Sequence, residues 1–271
     1  MNITFIGGGN MAAALIGGLI GQGHAPAAIR VVEIQAEARA RLNAQHGVVC
    51  VDGVDAAAPL GEAVVLAVKP QQMRAAAAAL RPLLQHQLVV SIAAGIRLQD
   101  LSRWLGDYHT MVRCMPNTPA LIGAGITGLY AGAQVGSEQR ALAEAILGAA
   151  GATLWVAEEA MLDPLTAISG SGPAYVFYFI EALQRSAQEM GFSAADARKL
   201  AIETFVGTAK LAAQSPEEVT VLRERVTSKG GTTERALASM EADRVQDLIV
   251  RALHAANERA RELGEQLGKD E

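Results

Sequence analysis

Cysteine is nearly absent: Cys50 and Cys114 are the only two in 271 residues, far apart and outside any CxxC pair. That pattern excludes a disulfide framework and a thiolate metal site, and it fits a reducing compartment. Basic clusters are missing as well. The formal net charge is −5 and no lysine–arginine block interrupts the chain, so nucleic acid and anionic lipid are not expected partners. No apolar run approaches the roughly 20 residues of a membrane span. The first apolar stretch, from Ile3, has no basic leader and is broken at once by glycines, which argues for a cytoplasmic protein without a signal peptide. Internal repeats and low-complexity linkers are also lacking; the five alanines at 75–79 suit a helix.

What is present is an apolar share of 51%, ample for a buried core. Up to about Val156, short β-branched runs alternate with helical patterns. The runs are ITFI (3–6), IRVV (29–32), VVLAV (64–68), LVVSI (88–92), MVRCM (111–115) and TLWV (153–156). Between them lie NMAAALIGGLIGQ, AEARARLNAQH, QQMRAAAAALRPLL and SEQRALAEAILGAA. Such alternation predicts βαβ units around a parallel sheet with helices on both faces, that is, an α/β Rossmann-type domain over 1–158. Beyond it the strand signal stops. Val176, Ile180, Leu183, Ala187 and Met190 repeat at spacings of three and four, so 172–190 is expected to be a helix. Ser193 with Asp196 predicts the cap of a second helix, and Ser215-Pro216-Glu217-Glu218 that of a third. A last helix is expected from about Asp243 to Leu263. Residues 159–271 therefore read as an all-helical domain.

The segment ITFIGGGNMAAALIGGL places Gly7, Gly9 and Ala12 in G-x-G-x-x-A spacing at the first strand-to-helix turn. There Gly7 permits the tight turn, Gly9 admits a pyrophosphate to the backbone and Ala12 keeps the helix near the sheet. Helix N-terminal amides then favour the phosphates. Gly8, Asn10 and Met11 belong to the same candidate cofactor turn. Glu33 follows the second strand, where a carboxylate accepts hydrogen bonds from an adenosine ribose and favours NADH, while Arg39 and Arg41 stand close enough in sequence to meet the 2′-phosphate of NADPH. Ligands of open α/β sheets bind beyond the carboxyl ends of the strands, which adds Ala67, Val68, Lys69 and Pro70, then Ala93, Ala94 and Gly95, then Met115, Pro116 and Asn117 to the cofactor-binding candidates. Pro70 and Pro116 favour extended backbone at the residues before them.

Residues 226–233, VTSKGGTT, put two glycines and four hydroxyls between helical patterns, ahead of Ala236, Leu237 and Met240 at helical spacing. Glycines that let successive amides converge, followed by a helix N-terminus, describe a small anion site with threonine as a capping candidate. Taken in order, GGGNM, AVKPQ, SIAAG, MPNTPA, SGSGPAYVF (169–177) and VTSKGGTT resemble the pyrroline-5-carboxylate reductase family over nearly the whole chain. The resemblance implies NADH- or NADPH-dependent reduction of L-1-pyrroline-5-carboxylate to L-proline without a metal. It also implies a substrate carboxylate held by Ser228, Gly230, Gly231, Thr232 and Thr233. Ser228 and Thr233 are the catalytic candidates, Thr233 also lying near the ring nitrogen. Lys229 stands where the family usually has proline. The family further implies a homodimer through the helical domain, often in a ring of five dimers.

A protonated cyclic imine accepts hydride without a strong side-chain acid, so positioning carries most of the catalytic demand. His24, His46, His86, His109 and His254 are accordingly given no role. Ser171, Gly172 and Pro173 are expected to be close-packing residues, and Tyr175 to begin an aromatic core or subunit face. Two other readings remain: a β-hydroxyacid dehydrogenase, with Lys199 or Lys210 as its lysine, and a dinucleotide-binding protein without turnover.

Overall fold

The computed structural model describes residues 1–57 and 59–269. They form two compact units: Met1–Ser171 together with the chain from Ala256 onward, and Gly172–Ala255. This division returns the end of the chain to the sheet unit.

The sheet unit carries β1 (Ile3–Ile6), β2 (Ile29–Val32), β3 (Val49–Val51), β4 (Ala63–Leu66), β5 (Leu88–Ser91), β6 (Met111–Met115), β7 (Gly125–Ala131) and β8 (Gly151–Trp155). Its helices are α1 (Asn10–Gly21), α2 (Ala36–His46), α3 (Pro70–Leu80), α4 (Leu98–Trp104), α5 (Ser137–Gly148) and α6 (Leu162–Leu165). The strand order is β3-β2-β1-β4-β5-β6-β7-β8. Its first six positions are those of a dinucleotide-binding doubly wound sheet, with the order reversing between β1 and β4. Those six strands are mutually parallel.

The expectation of a parallel sheet fails at one edge, because β7 pairs antiparallel with β6 and only then does β8 run parallel to β7. Strand β7, GITGLYA, gave no β-branched run to recognise. Its glycines answer to packing: a Cβ on Gly125 would meet Ala120 at 2.9 Å, and one on Gly128 would overlap the Leu165 side chain. Glycine inside a strand often marks such close approach. Edge strand β3, three residues long, was likewise not expected.

Alternate strand residues face opposite ways and build two cores. Ile3, Phe5, Val31 and Val65 pack with Leu15, Ile16 and Leu19 of α1 and with Ile146 and Leu147 of α5. On the other face Ile6, Val64, Leu66 and Val89 pack with Met73, Ala77 and Leu80 of α3 and with Leu98 and Leu101 of α4. Each of these side chains larger than alanine contributes about 1.5–3 kcal/mol when fully buried. Cys114 lies in the first core, where burial pushes its thiol well above the ordinary value, and desolvation also raises the half-buried Cys50. Neither has the depressed pKa of a nucleophilic cysteine.

The helical unit comprises α7 (Gly172–Glu189), α8 (Ala194–Gln214), α9 (Val219–Arg225), α10 (Thr232–Ala242) and the first part of α11 (Val245–Leu267). Ser193 caps α8 as expected, its hydroxyl accepting from Asp196 N–H at 3.2 Å. Ser215 does not cap α9. Its Oγ accepts from Glu217 N–H (3.1 Å) in a local turn, Glu218 is extended, and the helix starts at Val219. Helix α11 starts at Val245, because Arg244 adopts a left-handed φ of 53°. No helix is long and apolar enough to cross a membrane among the described residues.

Helix α1 supplies a paired test of the packing. A Cβ on Gly18 would overlap the carbonyl of Ala149, whereas one on Gly21 would enter open space. Gly18→Ala should cost about 1–3 kcal/mol through overpacking, and Gly21→Ala should gain up to about 1 kcal/mol from helix propensity. Urea unfolding monitored by circular dichroism checks both signs.

Candidate functional site

In the sheet unit the site is set by glycine. Gly7 leaves β1 at φ +102°, and a Cβ there would stand 2.7 Å from the carbonyl oxygen of Ala67 on the exit of β4. The turn is thus pressed into the crevice where the strand order reverses, which is where open α/β sheets bind ligands. Gly9 has the opposite environment: a Cβ on it would meet nothing within 4 Å. Helix α1 starts at Asn10 with no side-chain cap and no acidic residue in its first turn. Its first amides therefore have no capping side chain or first-turn carboxylate and are suited to phosphate. Asn10 is exposed, Met11 half-buried and Ala12 buried against the sheet. A dinucleotide fits this cradle.

Glu33 lies one residue past β2, and both of its oxygens are engaged. Gly8 N–H donates to Oε2 and Gln35 N–H to Oε1, each at 2.8 Å. The carboxylate is thereby fixed beside the glycine turn. Arg39 points its Nη1 at the carbonyls of Glu33 and Ile34, at 2.7 and 2.9 Å, and so braces the loop. Arg41 is exposed.

The later turns follow the same sheet edge. Ala67 and Val68 are half-buried, and Lys69 is an exposed N-cap with ψ 149° immediately before Pro70 opens α3. Pro70 is therefore the first helical residue, so extended backbone ends at Lys69. Ala93 is buried, Ala94 half-buried and Gly95 left-handed at φ +76°. Ser91, at the end of β5, is fully buried with its hydroxyl unpartnered among the described residues.

After β6, Met115 is half-buried and Pro116 buried, and Asn117 is extended. Its side chain is committed within the fold, however. Oδ1 accepts from Ile126 N–H at 2.9 Å, and Nδ2 donates to the Ser169 carbonyl at 3.1 Å. The close packing expected of Gly172 is found instead at Gly170, where a Cβ would meet Met115 Cε at 2.7 Å; one on Gly172 would enter open space. Thr166–Gly170 form a π-helical turn, a departure that no local sequence signal announced.

In the helical unit, Gly230 turns at φ +74° and Gly231 serves as the N-cap of α10. The capping threonine expected here is absent: Thr232 is already the first helical residue and no side chain caps the helix. Gly231 N–H closes the turn onto the Ser228 carbonyl at 3.0 Å. Gly230 N–H donates to Glu234 Oε2 at 2.6 Å, so one amide of the loop already holds a carboxylate. The amides of Thr232 and Thr233 belong to the first helical turn, which has no intrahelical acceptors for them. Ser228, Lys229 and Thr232 are exposed, Thr233 half-buried. Among the described residues no cluster of His, Cys, Asp and Glu could hold a metal ion. Lys199 and Lys210 lie exposed on α8.

Residues 159–263 match the model of pyrroline-5-carboxylate reductase dimerisation, and residues 2–95 that of NADP oxidoreductase, coenzyme F420-dependent. A pyrroline-5-carboxylate reductase of Pseudomonas aeruginosa is 47% identical over 268 residues, covering 98% of each chain. The chain belongs to the pyrroline-5-carboxylate reductase family. Solved members of that family share its fold. One from Coxiella burnetii has a TM-score of 0.92 at 40% identity over 97% of this chain and 98% of its own. One from Plasmodium falciparum, solved with NADP bound, has a TM-score of 0.86 at 26% identity over the same shares. Family membership leaves the β-hydroxyacid dehydrogenase reading without support.

Proposed function

We propose that this member of the pyrroline-5-carboxylate reductase family reduces L-1-pyrroline-5-carboxylate to L-proline. The observation that carries the reading is the loop before α10, whose glycines, hydroxyls and first-turn amides suit a small carboxylate, and whose Gly230 amide already binds that of Glu234. Thr232 and Thr233 offer N–H groups at the positive end of the helix dipole, and Ser228 offers a hydroxyl from the loop. Thr233 is assigned a second task, a hydrogen bond at the ring nitrogen. The reduced dinucleotide, when bound, supplies hydride to the imine carbon. The C=N electron pair then moves to nitrogen, which enters the step protonated and leaves as the secondary amine. No side chain has to supply a strong acid; the loop's work is to fix the carboxylate and so the ring.

The Glu33 geometry favours NADH over NADPH. A 2′-phosphate would approach a carboxylate fixed by two amides, while Arg39 of α2 commits its Nη1 to the carbonyls of Glu33 and Ile34. Like charges brought close together disfavour one another.

The helical unit needs a partner. Among its described residues only Ala197 and Ala201 are buried, while Val176, Phe177, Leu183, Leu200 and Val206 are exposed. Apolar surface of that extent marks an association face. A second copy of this chain is the partner, through the helical unit, and dimers assemble further into the ring of five.

Oxidation of NADH and NADPH by the purified protein with pyrroline-5-carboxylate, followed by nicotinamide absorbance, tests the reaction; no consumption of either would leave a dinucleotide-binding protein. Thr233→Ala should lower kcat/KM for the imine on the order of 10- to 100-fold, the value of a charge-assisted hydrogen bond, with dinucleotide affinity unchanged. Unchanged imine kinetics would remove Thr233 from the site. Glu33→Ser should lower the NADH/NADPH ratio of kcat/KM by roughly tenfold, and a constant ratio would mean that Glu33 does not read the ribose. Light scattering should give a dimer or a multiple of it for the native chain and a smaller species for Leu183→Glu; a native monomer would overturn the assembly.

A further inference from the structure

The last turns of α11 lie in the sheet unit, well away in sequence from the helical unit's loop. Ala260, Leu263, Gly264 and Leu267 recur at spacings of three and four, and Ala260 and Gly264 are buried. This stripe meets the chain that leaves β5. A Cβ on Gly95 would stand 2.7 Å from Leu267 Cδ1 and 3.6 Å from the Leu263 carbonyl. One on Gly264 would stand 3.1 Å from Arg97 Nε, and one on Gly268 would overlap the Asp100 carboxylate. Three glycines, two on one side of the joint and one on the other, thus permit a contact that side chains would hold open. Arg103 Nη2 closes it by donating to the Gly268 carbonyl at 2.7 Å, at the negative end of the helix dipole.

We propose that the end of α11, through Leu263, Gly264 and Leu267, positions the turn Ala93–Gly95 for the dinucleotide. Just beyond this turn, Arg97 and Leu98 are held from another side by a partly buried ionic network. Glu159 Oε1 accepts from Leu98 N–H (2.8 Å) and from Arg113 Nη1 (2.9 Å), and Asp163 lies 3.7 Å from Arg97 Nη2. The chain from Gly95 to Leu98 is therefore held between α11, which meets Gly95 and Arg97, and the 159–163 segment, which meets Arg97 and Leu98. Since Gly95 is left-handed with Leu267 against it, its backbone direction depends on where Leu267 sits. Displacements of about 1 Å in a binding shell are enough to weaken function by up to a hundredfold. The proposal rests on the reading that Ala93–Gly95 borders the cofactor.

The test compares Leu267→Ala, which opens space beside Gly95, and Gly264→Val, which pushes on Arg97, with the surface variant Arg259→Ala. Ala94→Val probes the turn itself. KM for the dinucleotide and for the imine are measured separately, with direct NADH titration by fluorescence on the folded fraction. A positioning role raises the dinucleotide KM roughly five- to tenfold in Leu267→Ala or Gly264→Val, with the imine KM unchanged and Arg259→Ala like the parent. A merely structural role lowers the melting temperature and leaves both KM values alone, which overturns the proposal. If Ala94→Val leaves dinucleotide binding unchanged, the turn does not border the cofactor and the proposal falls with that reading. If Ala94→Val weakens binding and both α11 variants do not, the proposal alone falls.

Discussion

The sheet unit depends on one close approach: Gly7 against the Ala67 carbonyl, between the exits of β1 and β4. Only a residue without a side chain tolerates both the left-handed φ and that distance. With the approach made, α1 starts directly behind the turn and directs its uncapped amides into the crevice where the strand order reverses. The buried parallel strands β1 and β4 on either side keep the two exits in register. Glu33 joins the same construction, because the amide it holds is that of the neighbouring Gly8.

The helical unit is built on the opposite principle. Its loop before α10 is locally specified, by a left-handed glycine, a glycine N-cap and a short turn, whereas its helices bury almost nothing of their own. A structure of this kind derives its stability from association, so the loop before α10 and the assembly of the protein depend on the same few helices. Such an arrangement suits a reaction in which positioning dominates.

Much of this was legible beforehand. The alternation of apolar runs and helical patterns placed β1, β2, β4, β5, β6 and β8 to within a few residues, and the cap at Ser193 was readable from two residues. The glycine turn and the hydroxyl-rich loop stood out because their composition is improbable in any helix. What was not legible depends on partners distant in the chain. Strand β7 is recognisable only once β6 and β8 lie beside it, and its glycines make sense only against Ala120 and Leu165. Ser215 had the sequence of a helix cap and made a local turn instead. Asn117 had the position of a ligand contact and was found bonded to Ile126 and Ser169.

The sequence by itself determined much of the local conformation: the tight glycine turn after β1, where most helices begin, which strands are buried on both faces, and to which family the chain is akin. These follow from sterics and periodicity, which act between near neighbours. Tertiary structure alone decided that β7 reverses direction, that Asn117 spends its amide inside the fold, and that α11 returns to press Leu267 against Gly95. Each of these is a contact between residues far apart in the chain. Its geometry is set by how whole elements pack, and no short window of sequence contains both sides of it.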